Sequence, residues 1–248
     1  PSLYHRLQEA GYHTMGCGKF DLHKASYRWG LDGKTDLAAW GFDDGIDNEG
    51  KIDAIRSDAK GQRGPYMQYL EERGLRETHI ADFERRDGWA THPTPLPEDA
   101  YCDNWIGQNG LDLLEAAPAG RPWFLQVNFT GPHMPWDVTQ SMHAQGRDRP
   151  VPPPLHSSAA NDPRALAIRR NYAAMIENLD RWLGIYLDRL ESRGERENTL
   201  VVFASDHGEM LLDHDLWGKG SWRHASVGVP LVVAGPGVEP APACAAPT

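Results

Sequence analysis

Asp206, His207 and Gly208 stand together just past an apolar, β-branched run from Thr199 to Ala204, and Lys219 follows thirteen residues after the aspartate. A carboxylate beside an imidazole offers one hard oxygen and one nitrogen to a divalent ion, and a nearby ammonium can hold an oxyanion. The apolar run is short and unbroken, as in a strand buried on both faces of a parallel sheet. Reacting groups in such sheets sit beyond the carboxyl ends of the strands, which is where these residues fall. Successive strand residues point to opposite faces, so Asp206 and His207 share an ion only once the chain has left the strand, a turn that Gly208 permits. A capping box from Asp206 to Glu209 would explain the carboxylate without metal. The company of His207, Gly208 and Lys219 favours a site.

Two further strand ends carry chemistry. Trp123 to Phe129 is apolar and breaks at Gly131-Pro132-His133-Met134-Pro135, where proline ends the ladder and delivers His133. Near the start of the chain, Leu3 to Ala10 reads as the tail of an amphipathic helix stopped by Gly11, and His13 to Cys17 then leads into Gly18-Lys19. A lone histidine or lysine after a strand is usually a loop residue. The recurrence of Lys19, His133 and Asp206-His207 at equivalent strand ends points to one site.

With those residues in place, the chain resembles the sulfatase family. AGYHTMGCGKF is similar to its glycine-tyrosine turn followed by Gly-Lys-aromatic, FLQVNFTGPHMPW to its Gly-Pro-His-x-Pro stretch, and VVFASDHGEMLLDHDLWGKGSW with VPLVVAGPG to its metal and lysine segments. The Asp-His-Gly form is most similar to the branch holding choline-sulfatase-like enzymes and phosphonate monoester hydrolases. The resemblance implies an alkaline-phosphatase-like α/β fold, a mostly parallel sheet with helices on both faces, here truncated. It implies that Asp206 and His207 bind a divalent metal, calcium first, with magnesium, manganese or zinc also compatible, and that Lys19, His133 and Lys219 surround the transferred sulfate. Where the family often has Lys-Trp-His, this chain has Lys19-Phe20-Asp21-Leu22-His23, so His23 is a candidate for the missing histidine's role. His224, in Arg223-His224-Ala225, is a candidate pocket residue.

The family nucleophile is a Cys or Ser in Cys/Ser-x-Pro-x-Arg, converted to formylglycine, and neither Cys17, Cys102, Cys244 nor any serine stands in that pattern. The chain begins at Pro1, in what reads as mid-helix, and ends in an Ala/Pro-rich tail from Ala241 to Thr248. The expectation is therefore residues 1–248 as a partial catalytic domain whose nucleophile lies upstream, inactive by itself. The expected reaction is hydrolysis of a small-molecule or carbohydrate sulfate ester. The alternatives are a phosphonate or phosphate ester hydrolase of the same cage and an inactive anion-binding relative.

The 248 residues suit one large α/β domain, and a hydrophobic content of 40% is enough for a core. A net charge of −10 without a basic stripe argues against nucleic acid, and no apolar run reaches the length of a membrane span. Three scattered cysteines form neither a disulfide framework nor a zinc motif and leave the compartment open, with a periplasmic or secreted location as the expectation; oligomeric state is not legible. Asn128-Phe129-Thr130 matches a glycosylation sequon but falls on a strand expected to be buried. Residues 21–97 read as a loop-rich insertion with one short helix, Pro65 to Arg73, whose Tyr27, Trp29, Trp40 and Trp89 either line a pocket or pack the insertion. Helices are predicted over Glu98 to Ala117 and Pro163 to Arg193, the latter with Ile168, Tyr172, Met175, Ile176, Leu179, Leu183 and Leu187 on its inner side.

Overall fold

The computed structural model describes Ser2 to Glu239; Pro1, Cys244 and the Ala/Pro-rich tail lie outside the described residues. The elements in chain order are α1 (Leu3–Glu9), β1 (His13–Gly18), α2 (Leu37–Trp40), β2 (Asp44–Asp47), α3 (Ile52–Asp58), α4 (Pro65–Glu72) and α5 (Arg76–Glu84). They continue with α6 (Cys102–Ala116), β3 (Trp123–Asn128), α7 (Gln140–Gly146), α8 (Pro163–Ser192), β4 (Val201–Ala204), α9 (His224–Val227) and β5 (Leu231–Ala234). The chain divides into two compact units, residues 1–148 with 171–182 and residues 149–170 with 183–248.

In the first unit β1 is the centre of a three-stranded parallel sheet, order β2-β1-β3, with Gly18 opposite Asp47 on one side and Asn128 on the other. The strand alternation gives each face its own helix. Cys17 turns toward α6, its thiol reaching the Ile106 carbonyl at 3.5 Å, in a core with Tyr66, Met67, Leu70, Cys102 and Trp105. Gly16 and Phe124 turn the other way, where Tyr4 of α1 stacks on Phe42 at 4.1 Å and meets Phe124 at 6.0 Å. The parallel sheet flanked by helices is thus as expected.

Several local expectations change. The chain does not enter in mid-helix: Ser2 caps α1, its hydroxyl accepting from His5 N while His5 Nδ1 accepts from Ser2 N. Residues 21–97, expected as loop with one helix, contain β2 and α2 to α5. Trp29 is packed at 1% exposure and stacks on Tyr27, whereas Trp40 is 39% exposed. On α8 the buried line is Ile168, Met175, Leu179 and Trp182, while Ile176, expected inward, is 44% exposed. One residue on from Met175 is about 100° round the helix, enough to leave the core face.

In the second unit β4 pairs antiparallel with β5, Val201 opposite Ala234 and Ala204 opposite Leu231. The expectation that this strand is parallel and buried on both faces is therefore not met among the described residues. Val202 is 58% exposed and Leu231 69%, since a two-stranded ribbon cannot cover both of its own faces.

Candidate functional site

Lys19 leaves the sheet immediately after β1. Its N–H donates to the Asn128 carbonyl at 2.9 Å and its carbonyl accepts from Asn128 Nδ2 at 3.3 Å, so its backbone is tied to the end of β3. The sequon asparagine is thus engaged in packing. The Lys19 stem crosses Gly50, where a Cβ would stand 2.6 Å from Lys19 Cδ. Its ammonium lies 2.6 Å from Asp21 Oδ1, and Lys24 lies 3.2 Å from the same carboxylate. Burial alone would raise the Asp21 carboxyl, but Lys19 and Lys24 outweigh it and hold the group below its ordinary value. Asp21 read in sequence only as a departure from a family pattern. Here it is the counter-charge of Lys19.

The loop carrying His133 leaves β3 beside Lys19, because β1 and β3 are parallel neighbours that end in register. His133 Nδ1 lies 2.7 Å from the Met134 carbonyl, which only accepts, so in the neutral ring Nδ1 carries the proton and Nε2 the lone pair. His23 is 5% exposed, with Nε2 donating to the Thr35 carbonyl at 3.0 Å. That geometry makes it part of the packing and does not present an open imidazole to an ester.

In the second unit Asp206 and His207 follow β4 with no helix at all, so the capping-box reading fails; Glu209 instead accepts from Leu211 N at 3.2 Å and Gly218 N at 2.6 Å. Those bonds, with Met210 N donating to the Gly218 carbonyl, fold the chain back on itself. Lys219 thereby returns to His207, Nζ donating to Nε2 at 2.6 Å. His207 Nδ1 faces the Gly208 carbonyl at 2.7 Å and so is protonated, leaving the lone pair on Nε2. Gly208 is not among the left-handed glycines. It supplies space, since a Cβ there would lie 2.1 Å from the Ala225 carbonyl oxygen. His224 is exposed at the start of α9 with its ring against Gly228.

Asp206 and His207 fit part of a divalent-ion shell. The carboxylate is 85% exposed and lies 3.6 Å from His207 Nε2, a hard oxygen and a nitrogen on the same side of the chain. No group of three or more His, Cys, Asp or Glu converges among the described residues, so these two do not complete a shell of six to eight oxygens. The lone pair an ion would take on His207 is the one Lys219 now occupies.

A groove of about 740 Å³ in the first unit is lined by Glu98, Trp105, Asp112, Glu177, Arg181 and Trp182 among others, and by none of the candidate residues. Its surplus of carboxylates is unsuited to a sulfate ester.

Comparison with known proteins identifies the family. The family model described as Sulfatase matches residues 1–247. An arylsulfatase of Clostridium perfringens is 26% identical over 257 residues, 93% of this chain and 51% of the relative. A choline-sulfatase of Rhizobium meliloti is 34% identical over 142 residues, 48% of this chain and 28% of the relative. The crystal structure of a phosphonate monoester hydrolase of Agrobacterium radiobacter superposes with a TM-score of 0.70 at 22% identity, covering 96% of this chain and 53% of that one. The chain thus spans about half the length, or less, of the relatives it matches.

Proposed function

Because the chain belongs to the sulfatase family, we propose that it forms part of the catalytic domain of a metal-dependent sulfuric ester hydrolase acting on a small-molecule or carbohydrate sulfate ester. The observation that carries this reading is the register of β1 and β3, parallel neighbours that end together at Gly18 and Asn128, so that Lys19 and the loop carrying His133 leave the same end of the sheet. Sulfuryl transfer spreads charge over ester oxygens, so Lys19 and Lys219 stabilise that charge and His133, as the imidazolium carrying a proton on both nitrogens, protonates the leaving oxygen through Nε2 and is left as the Nδ1–H tautomer. Asp206 and His207 hold the divalent ion, calcium in this proposal, which when bound supplies further positive charge against the sulfate oxygens. The described cysteines do not supply the nucleophile. Cys17 and Cys102 are buried and burial pushes both thiols well up, which keeps them un-ionised. A formylglycine elsewhere in the protein fills that role in this proposal.

The test uses the protein expressed from its complete reading frame, assayed on an aryl sulfate before and after chelation of divalent ions. Turnover that falls on chelation and returns with calcium supports the reading. Turnover unchanged by complete ion removal refutes the metal role of Asp206 and His207.

A further inference from the structure

The His133 loop is anchored at both ends by charges that have no part in the reaction proposed above. At its start, Asp103 in the first turn of α6 accepts from Thr130 N at 2.7 Å and Gly131 N at 2.9 Å through one oxygen. At its end, Lys51 donates to Asp137 Oδ1 at 2.9 Å, and Tyr101 Oη, which accepts from Lys51 at 2.9 Å, donates to the Asp137 carbonyl at 3.1 Å. One cation joins the two anchors, since Lys51 Nζ also stands 3.9 Å from Asp103 Oδ2. The Lys51 and Asp103 side chains are 2% and 1% exposed, so this cluster meets no solvent and no substrate. Asn171 adds a third tether, Nδ2 donating to the Trp136 carbonyl at 2.6 Å.

Burying an ammonium with two carboxylates is costly, and an apolar cluster of equal volume would hold a core at least as well. Its distinctive effect is geometric: amide donors at one end of a loop and a carboxylate and carbonyl at the other are fixed to a single point. We infer that Lys51, Asp103 and Asp137 are positioning residues that set the place of His133 against the ester. This inference rests on the reading that His133 acts on the substrate. Lys51 follows directly on Gly50, the residue over which the Lys19 stem passes, so the same segment also bounds the neighbouring ammonium.

The experiment compares Asp103→Ala, Asp103→Asn and His133→Ala in the protein from the complete reading frame, with kcat and KM on an aryl sulfate normalised to the folded fraction. A displacement of about 1 Å at a reacting group costs about 100-fold in rate, so Asp103→Ala is expected to lower kcat by about that factor with KM changed by less than about threefold. Asp103→Asn keeps an oxygen for the two amides and should recover kcat to within about tenfold of the parent. If the cluster acts through His133, adding Asp103→Ala to His133→Ala should lower kcat by less than about twofold more. Leu114→Ala, a cavity elsewhere on α6 at a site 2% exposed, should lower the melting temperature and leave kcat of the folded fraction unchanged.

Should Asp103→Ala fail to fold, Gly131→Ala replaces it. Its Cβ would meet Asp103 Oδ2 at 2.7 Å and force the loop and Asp103 apart while all three charged side chains are kept, and the same loss of kcat is expected. Full kcat in folded Asp103→Ala or Gly131→Ala, while His133→Ala is inactive, overturns the positioning role alone. Full activity of His133→Ala overturns the reading of His133 itself. Additive losses in the double variant mean that the cluster acts independently of His133 and overturn the inference.

Discussion

Asp47 is expected to make this protein less stable as pH rises from 4 to 7, and Asp47→Asn is expected to remove that share of the dependence, while Glu49, likewise pushed up to about 7 by burial, keeps its own. The carboxyl is fully buried at the end of β2; Oδ1 accepts from Phe20 N at 3.2 Å and Oδ2 has no hydrogen-bond partner. Burial, and then the Glu49 and Asp21 carboxylates, push it up to about 7 against the opposing pull of the Phe20 N–H and Lys19. The folded value therefore lies above the unfolded one near 4. Below pH 4 both states hold the proton and the burial costs little; between pH 4 and 7 only the unfolded chain releases it, so stability falls with rising pH. A gap of about three pH units corresponds to up to about 4 kcal/mol, fully lost above pH 7.

The amide introduced by Asp47→Asn carries no titrating proton, and the cost of burying it, about 1–3 kcal/mol, is the same at every pH. The measurement is urea unfolding of parent and Asp47→Asn at pH 4, 6 and 8. The variant-minus-parent difference is predicted to shift in favour of the variant by up to about 4 kcal/mol between pH 4 and 8. A difference flat within about 0.5 kcal/mol across that range would show that the buried carboxyl is ionised throughout and refute the reasoning.

Further substitutions test the site. Lys219→Ala and His133→Ala should each lower turnover on an aryl sulfate by about 100-fold or more while the melting temperature stays near that of the parent; a large drop in melting temperature with normal activity of the folded fraction would make the residue structural. Asp206→Ala should abolish stoichiometric divalent metal in the purified protein, checked by elemental analysis, and unchanged metal content would remove Asp206 from the shell. Gly208→Ala forces a Cβ to within 2.1 Å of the Ala225 carbonyl oxygen and should cost about 1–3 kcal/mol in unfolding free energy and a large part of the activity, whereas a neutral result would mean that the loop yields freely.

The strand that leads to His133 was legible because it is an apolar run ended by glycine and proline, and the one that leads to Lys19 because Gly11 and Gly18 bracket His13 to Cys17; the sheet then fixes where the next side chains emerge. β2 was not legible. Asp-Gly-Ile-Asp has one apolar side chain, and its strand geometry comes from pairing with β1 rather than from its own pattern. Within residues 21–97 α4 was legible, as the predicted helix from Pro65, with Tyr66, Met67 and Leu70 inward, whereas α3 and α5 were hidden for a related reason. The buried positions of α3 are Asp53, Ala54, Ser57 and Asp58, and those of α5 are His79 and Asp82, so polar residues occupy the inner face and no apolar period marks it. Asp82 is buried because Arg86 at 2.7 Å neutralises it and the His92 ring meets it at 3.1 Å, a pairing that no local pattern reveals.

Within the site, the residue types of the strand ends were readable but their partners were not. The Lys19–Asp21 contact lay in plain view and read as a mismatch, because sequence alone does not show that the chain curls the carboxylate back onto the ammonium. Lys219 over His207 depends on the fold of the Glu209 to Gly218 loop, which is closed by a side chain accepting from two backbone amides. Lys51, Asp103 and Asp137 are separated by tens of residues, and only the burial of all three identifies them as one cluster.

The central claim, that these strand ends serve sulfate esters, is tested most directly by kcat/KM on matched aryl sulfate, aryl phosphate and aryl phosphonate substrates. The assay uses the protein from its complete reading frame, with formylglycine formation enabled and calcium present. The account predicts the sulfate ester to be the best of the three by at least about tenfold, and that preference to vanish in Lys219→Ala. A phosphate or phosphonate ester turned over faster than the sulfate, or no turnover of any sulfate ester by the metal-loaded protein, would contradict it.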